Sequence, residues 1–183
     1  MNNEISNEKM NIVSIIMGSD SDLPIMKDAM EFLDKMNIKY EVNILSVHRN
    51  PKQAISYAKE INDKKIKIII AGAGGAAHLP GIFAAYCNVP VIGVPIKTKT
   101  LNGIDSLYSI VQMPSGVPVA TVGINNSKNA AILATKILAL NNNELQKELA
   151  DYKKELEEKG YIKNEKINII GYEKYLKEMN GEI

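Results

Sequence analysis

"KIKIIIAGAGGAAH", residues 65 to 78, drives a β-branched apolar run straight into a loop, 72 to 78, that holds three glycines and three alanines. A short apolar run bounded by glycine reads as a buried strand. Four other runs of the same kind occur along the chain: "NIVSIIM" (11 to 17), "YEVNIL" (40 to 45), "VPVIGVPI" (89 to 96) and "VPVATVGI" (117 to 124). Helical patterns separate them. Met26, Met30, Leu33 and Met36 recur at helical spacing between about 23 and 37, with Asp22 where a cap belongs. Asn50 and Pro51 open a second helix with Ala54, Tyr57, Ala58 and Ile61 on one face. A third is expected near 76 to 87, a fourth over "GIDSLYSIVQ" and a fifth over about 127 to 140. Strands alternating with helices specify βαβ units and a parallel sheet, hence the α/β class.

The glycine loop also excludes several functions. Gly72, Gly74 and Ala77 satisfy a loose G-x-G-x-x-A pattern, but a dinucleotide site needs an acid about 20 residues on, where this chain reads "VPVIGVP". A P-loop needs Gly-Lys-Ser/Thr, which is absent, and a phospho-receiver needs an aspartate at the end of the third strand. What remains is a backbone that can come close to something small and anionic, such as a carboxylate, a phosphate or carbon dioxide.

The totals narrow the partners. With 183 residues, 22 cations, 21 anions and a net charge of +1, the chain fits one domain and carries no global field for nucleic acid or anionic lipid. No apolar run approaches the ~18 residues of a membrane span, and the single Cys87 forms no disulfide framework, so a soluble cytoplasmic protein with a small-molecule ligand is expected. Residues 1 to 10 are read as a flexible N-terminus, 11 to 160 as one domain closed by a charged helix from about 142, and 161 to 183 as a tail.

In an open parallel sheet, ligands bind beyond the carboxyl ends of the strands. The loops expected there, "GSDSD", "SVHRN", "GAGGAAH", "KTKTLNG" and "INNSKN", gather both histidines, His48 and His78, and the only arginine, Arg49. The other 21 cations are lysines, so a planar fork at Arg49 points to bidentate binding of phosphate or carboxylate. Asp22 is open to two readings, as a helix cap or as a ligand-binding group. Ser19 and Ser21 are turn residues or ligands, and His78 is a structural or a functional histidine. Ser46, His48 and Arg49 together look like a phosphate grip beside an acid/base group.

"MGSDSD", "SVHRNP", "AGAGGAAHLPG", "PVIGVP", "GIDSLYSIVQMPSGVPVATV" and "NAAILATKILA", in that order, resemble the bacterial 5-(carboxyamino)imidazole ribonucleotide mutase family of purine biosynthesis. The resemblance covers about 11 to 155. It implies a flavodoxin-like three-layer α/β/α sandwich with a five-stranded parallel sheet and an added C-terminal helix, assembled as a homo-octamer, with no cofactor and no metal. It implies His48 as the single proton-transfer residue and substrate binding by Ser19, Ser21, Asp22, Ser46 and Arg49. Ala73, Gly74 and His78 would line the pocket for the migrating carboxylate. Rival readings are a carboxylase using free carbon dioxide and a non-catalytic nucleotide-phosphate binding module. Val47, between Ser46 and His48, and Ser115 depart from the family pattern.

Overall fold

A computed structural model describes residues 12 to 182. The expected flexible N-terminus lies outside the described residues. Five strands, β1 (Val13–Met17), β2 (Tyr40–Ile44), β3 (Ile68–Gly74), β4 (Val91–Ile96) and β5 (Ala120–Thr121), form one parallel sheet in the order β2-β1-β3-β4-β5. Between them run α1 (Leu23–Lys35), α2 (Pro51–Ile61), α3 (Leu79–Tyr86) and α4 (Ile104–Val111), with α5 (Ser127–Ala139) after β5. That order is the doubly wound, flavodoxin-like one, and right-handed crossovers place α1 and α5 on one face and α2, α3 and α4 on the other.

β1 and β4 are buried at every position, as strands covered on both faces should be. On one face Ile16, Ile69 and Ala71 meet Ala54, Tyr57, Ala58 and Ile61 of α2, Phe83 of α3 and Ile110 of α4. The helix α2 matches its sequence pattern residue for residue: Asn50 Oδ1 accepts from the Gln53 N–H and Pro51 stands in the first turn. In α1 the buried face is Met26, Ala29, Phe32 and Leu33, one step round from the methionine stripe.

Within the sheet and its connections, β3, β5 and α3 differ from expectation. β3 extends to Gly74, so Gly72 is a strand residue, paired with Met17 on one side and Val94 on the other. Its missing side chain makes room for Met26, whose sulfur occupies the place a Cβ would take. β5 shrinks to two residues because Pro118 cannot donate to a ladder and Asn125 turns the chain at φ +58°. α3 begins only at Leu79, since residues 75 to 78 make tight turns in which Ala77 N–H donates to Gly75 O and His78 N–H to Ala76 O.

The chain divides after Leu138, and residues from Ala139 form a second compact unit. There α6 (Asn143–Ile170) starts at an Asn142 cap on the Leu145 N–H. It does not stop near 160: Gly160 is exposed mid-helix with no break, and Gly171, at φ +77°, ends it. α7 (Tyr172–Met179) follows where a tail was expected, and Lys166 pairs with Glu178 across the α6–α7 turn. Among the described residues no helix is long and apolar enough to cross a membrane.

The two kinds of glycine make opposite predictions. At Gly93 a methyl group would collide with Ile110 and Val119, so Gly93→Ala should destabilise the protein by about 2 kcal/mol in chemical denaturation. At Gly160 it would meet nothing within 4 Å, so Gly160→Ala should stabilise α6 by about 0.5–1 kcal/mol.

Candidate active site

The carboxyl ends of β1, β3 and β4 and the turn after β2 enclose a cleft of about 340 Å³. Ser19, Ser21, Asp22, Ser46, His48, Arg49, Ala73, Gly74 and His78 all line it. Residues 18 to 98 thus meet at one place because the strands that carry them lie side by side.

After β1, Gly18 N–H donates to Gly72 O at 3.3 Å, which seats the turn on β3. Ser19 Oγ accepts from the Ser21 N–H and hydroxyl, closing a short 3-10 turn over Asp20–Asp22. Asp22 precedes α1 yet makes no side-chain capping bond. The residue is 7% exposed, and its carboxylate takes backbone hydrogen bonds from Ser19 and Gly18. Burial pushes its pKa above the ordinary value of 3.8, although those hydrogen bonds oppose the rise. The choice between cap and cleft residue therefore goes to the cleft.

After β2, the Ser46 carbonyl accepts from Asn50 N–H at 2.9 Å and its hydroxyl from Arg49 N–H at 3.2 Å. The turn so formed packs half-buried Val47 against the core and leaves His48 and Arg49 exposed. Val47 acts as an apolar anchor that aims its neighbours outward. His48 Nε2 stands 2.9 Å from His78 Nδ1, with the rings edge-to-face at 87°. One of those nitrogens carries the hydrogen and the other accepts it, so His48 Nδ1 and His78 Nε2 remain for a ligand.

The third wall is Ala73, Gly74, Ala76 and His78, and it faces a fourth made of Ile96, Lys97 and Thr98. The last three went unassigned in the sequence, although "KTKTLNG" lay on the right edge. Nothing in a lone lysine among 21 distinguishes Lys97. Asn125 does the placing: its Oδ1 accepts from Lys97 N–H at 2.7 Å while its own N–H donates to Pro95 O at 2.8 Å. Ser115 is exposed and away from the cleft, and "INNSKN" contributes to it only through this support. Cys87 is buried, donates to Ala58 O and has its thiol pushed up to about 11, which fits a core position. Among the described residues no group of three or more His, Cys, Asp or Glu is placed to hold a metal ion.

The family model described as AIR carboxylase matches residues 12–159. The N5-carboxyaminoimidazole ribonucleotide mutase of Pyrococcus horikoshii is 54% identical over 167 residues, which span 91% of this chain and 94% of that one. The phosphoribosylaminoimidazole carboxylase of Candida glabrata is also 54% identical, over 165 residues, but these are only 29% of its length. The crystal structure of Treponema denticola PurE superimposes with a TM-score of 0.78 at 28% identity, covering 88% of this chain and 99% of that chain.

Asp22 sets a pH prediction. Because its folded pKa lies above its unfolded one, the folded state binds the proton more tightly, and the ionised group costs stability once pH has risen past the folded value. Asp22→Asn should therefore melt higher than wild type at pH 7, by about 2–4 °C per kcal/mol relieved. The gap should close as pH falls towards 3.8. Calorimetry of both proteins across pH checks it; a lower Tm for the variant at pH 7 contradicts it.

Proposed function

The chain belongs to the AIR carboxylase family, and from that premise we propose that it is an N5-carboxyaminoimidazole ribonucleotide mutase of purine biosynthesis, an isomerase. The observation that carries the reading is the end-to-end match to a relative of that name, against a match to under a third of the carboxylase relative. The substrate is a small phosphorylated ribonucleotide bearing a carbamate.

We assign Arg49 and the hydroxyls of Ser19, Ser21 and Ser46 to the phosphate, where a guanidinium fork satisfies two oxygens at once. Asp22, an acceptor set deep beside them, takes ribose hydroxyls. The carbamate then lies against His78 and against Ala73 and Gly74, whose lack of bulk leaves room for carbon dioxide. In the reaction His48, protonated, gives its proton to the exocyclic nitrogen as the N–C bond to the carboxyl group breaks. The bond electrons stay on nitrogen and carbon dioxide is freed inside the cleft. The electron-rich ring carbon attacks it, forming the C–C bond, and neutral His48 removes the proton from that carbon to restore the aromatic ring. One proton is given and one recovered, and no electrons enter or leave, so neither redox cofactor nor ATP is called for. Imidazole suits both halves because its two forms are close in free energy near neutral pH. Holding carbon dioxide beside the ring supplies the remaining advantage.

We further propose that the protein is a cytoplasmic homo-oligomer, the octamer that the family resemblance implies. Leu101, Ile104, Tyr108 and Val111 form an exposed apolar stripe along α4 and the turn before it, a surface suited to another copy.

Purified protein supplied separately with the carbamate, and with the unrearranged amine plus carbon dioxide, should yield the C-carboxylated product efficiently from the carbamate. Turnover only from the amine plus carbon dioxide would replace the mutase by a carboxylase. His48→Asn should keep substrate affinity and lose turnover by about a hundred- to ten-thousand-fold. Unchanged turnover in that variant would remove His48 from the chemistry.

A further inference from the structure

Helix α4 contributes nothing to the lining of the cleft, yet its first turn is hydrogen-bonded to two of the walls. Ser106 is 0% exposed. Its hydroxyl donates to the Ile96 carbonyl at 2.6 Å and accepts from the Gly75 N–H at 2.8 Å. Ile96 belongs to the β4 wall, and Gly75 sits between Gly74 and Ala76 of the glycine wall. One buried oxygen therefore spans the two sides. Asp105 holds the same β4 wall two residues further on, where the Thr98 hydroxyl reaches both carboxylate oxygens at 3.0 and 3.1 Å. Ser109 shares its hydrogen between Asp105 O at 2.8 Å and Gly75 O at 3.3 Å.

Gly75 has φ +67°, so the wall turns there through a backbone conformation with no side chain to wedge it in place. Without Ser106 the Gly75 N–H and the Ile96 carbonyl would both lose their partner inside the protein, at a cost that favours movement of the glycine wall. That wall ends in His78, which is hydrogen-bonded to His48. A shift at Gly75 thus reaches both the space beside the reacting carbon and the proton-handling pair.

We propose that Ser106 is a positioning residue for the carboxyl transfer: it holds the glycine wall and the β4 wall at the separation that retains carbon dioxide between its release and recapture. This rests on the mutase reading above. The phosphate grip is on the turns after β1 and β2, which Ser106 does not touch, so binding of the ribonucleotide and retention of carbon dioxide are separable properties.

The test is Ser106→Ala and Ser106→Cys, the second keeping the volume while weakening both hydrogen bonds. For each, kcat and KM for the carbamate are measured together with the ratio of free amine plus carbon dioxide to C-carboxylated product, above the enzyme-free rate. Expected is a kcat about ten- to a hundredfold lower with KM within about threefold, and a ratio shifted towards free amine in both variants. A folded variant with wild-type kcat and an unshifted ratio overturns the proposal. So does a raised KM with unchanged kcat, or loss of the fold in both variants, since either assigns Ser106 to something other than carbon dioxide retention. Failure of the mutase reading is distinguishable, because wild-type protein itself would then not convert the carbamate.

Discussion

The close approach of helices to the two inner strands at positions without side chains is the constraint on which the rest depends. Met26 of α1 fills the space over Gly72, and Ile110 of α4 fills that over Gly93. Both strands are paired on each side, so neither can slide to relieve a clash. The consequence is a fixed spacing of loops at the carboxyl edge. β2 and β3 flank β1, two strand spacings or about 10 Å apart. Side chains from the turns beyond them must reach across β1 to meet, and His48 and His78 do so at 2.9 Å. Gly18 and Ser19, which follow β1 between those turns, line the same cleft. This is the switch point of the doubly wound sheet, where crossovers on opposite faces leave a crevice open.

Charge in the cleft is arranged by depth. Asp22 is buried at the base and kept there by two backbone N–H groups, while Arg49 and Lys97 stand exposed on separate walls. A carboxylate whose pKa is raised by burial weakens the fold at neutral pH. Its retention at that depth is intelligible if a ligand's hydroxyls supply the solvation that the protein withholds. Exposed cations, by contrast, are already solvated and cost little to hold ready for an anion.

What could be read from the sequence divides along physical lines. α2 was legible to the residue because cap, proline and apolar face all act within one helix and agree. The positions of Ser19, Asp22, Ser46, His48, Arg49, Gly74 and His78 at one edge followed from the rule that such sheets bind ligands beyond their strand ends. β5 was overextended because β-branched residues advertise a strand while Pro118 and the turn at Asn125 cut the ladder short. Gly72 was misplaced in a loop because its glycine answers to Met26, 46 positions away, which no local pattern contains. Ser106 was invisible for the same reason: helical periodicity says that a residue faces inward, not that its hydroxyl joins residues 75 and 96.

The histidine pair bears most directly on how such a reaction can run in a small open cleft. In the reaction proposed above, the proton given to the departing nitrogen is matched by the one taken from the ring carbon, so between the two bond changes the imidazole that gave the first is neutral and ready to accept the second. The 2.9 Å hydrogen bond to a second imidazole engages His48 Nε2, so Nδ1 is the His48 nitrogen left to face a ligand. The bond survives one added proton on the pair, whereas a second would place two N–H groups face to face and break it. Val47, half-buried against the core, sits between Ser46 and His48 in a turn that also presents the chain's only arginine to the same cleft.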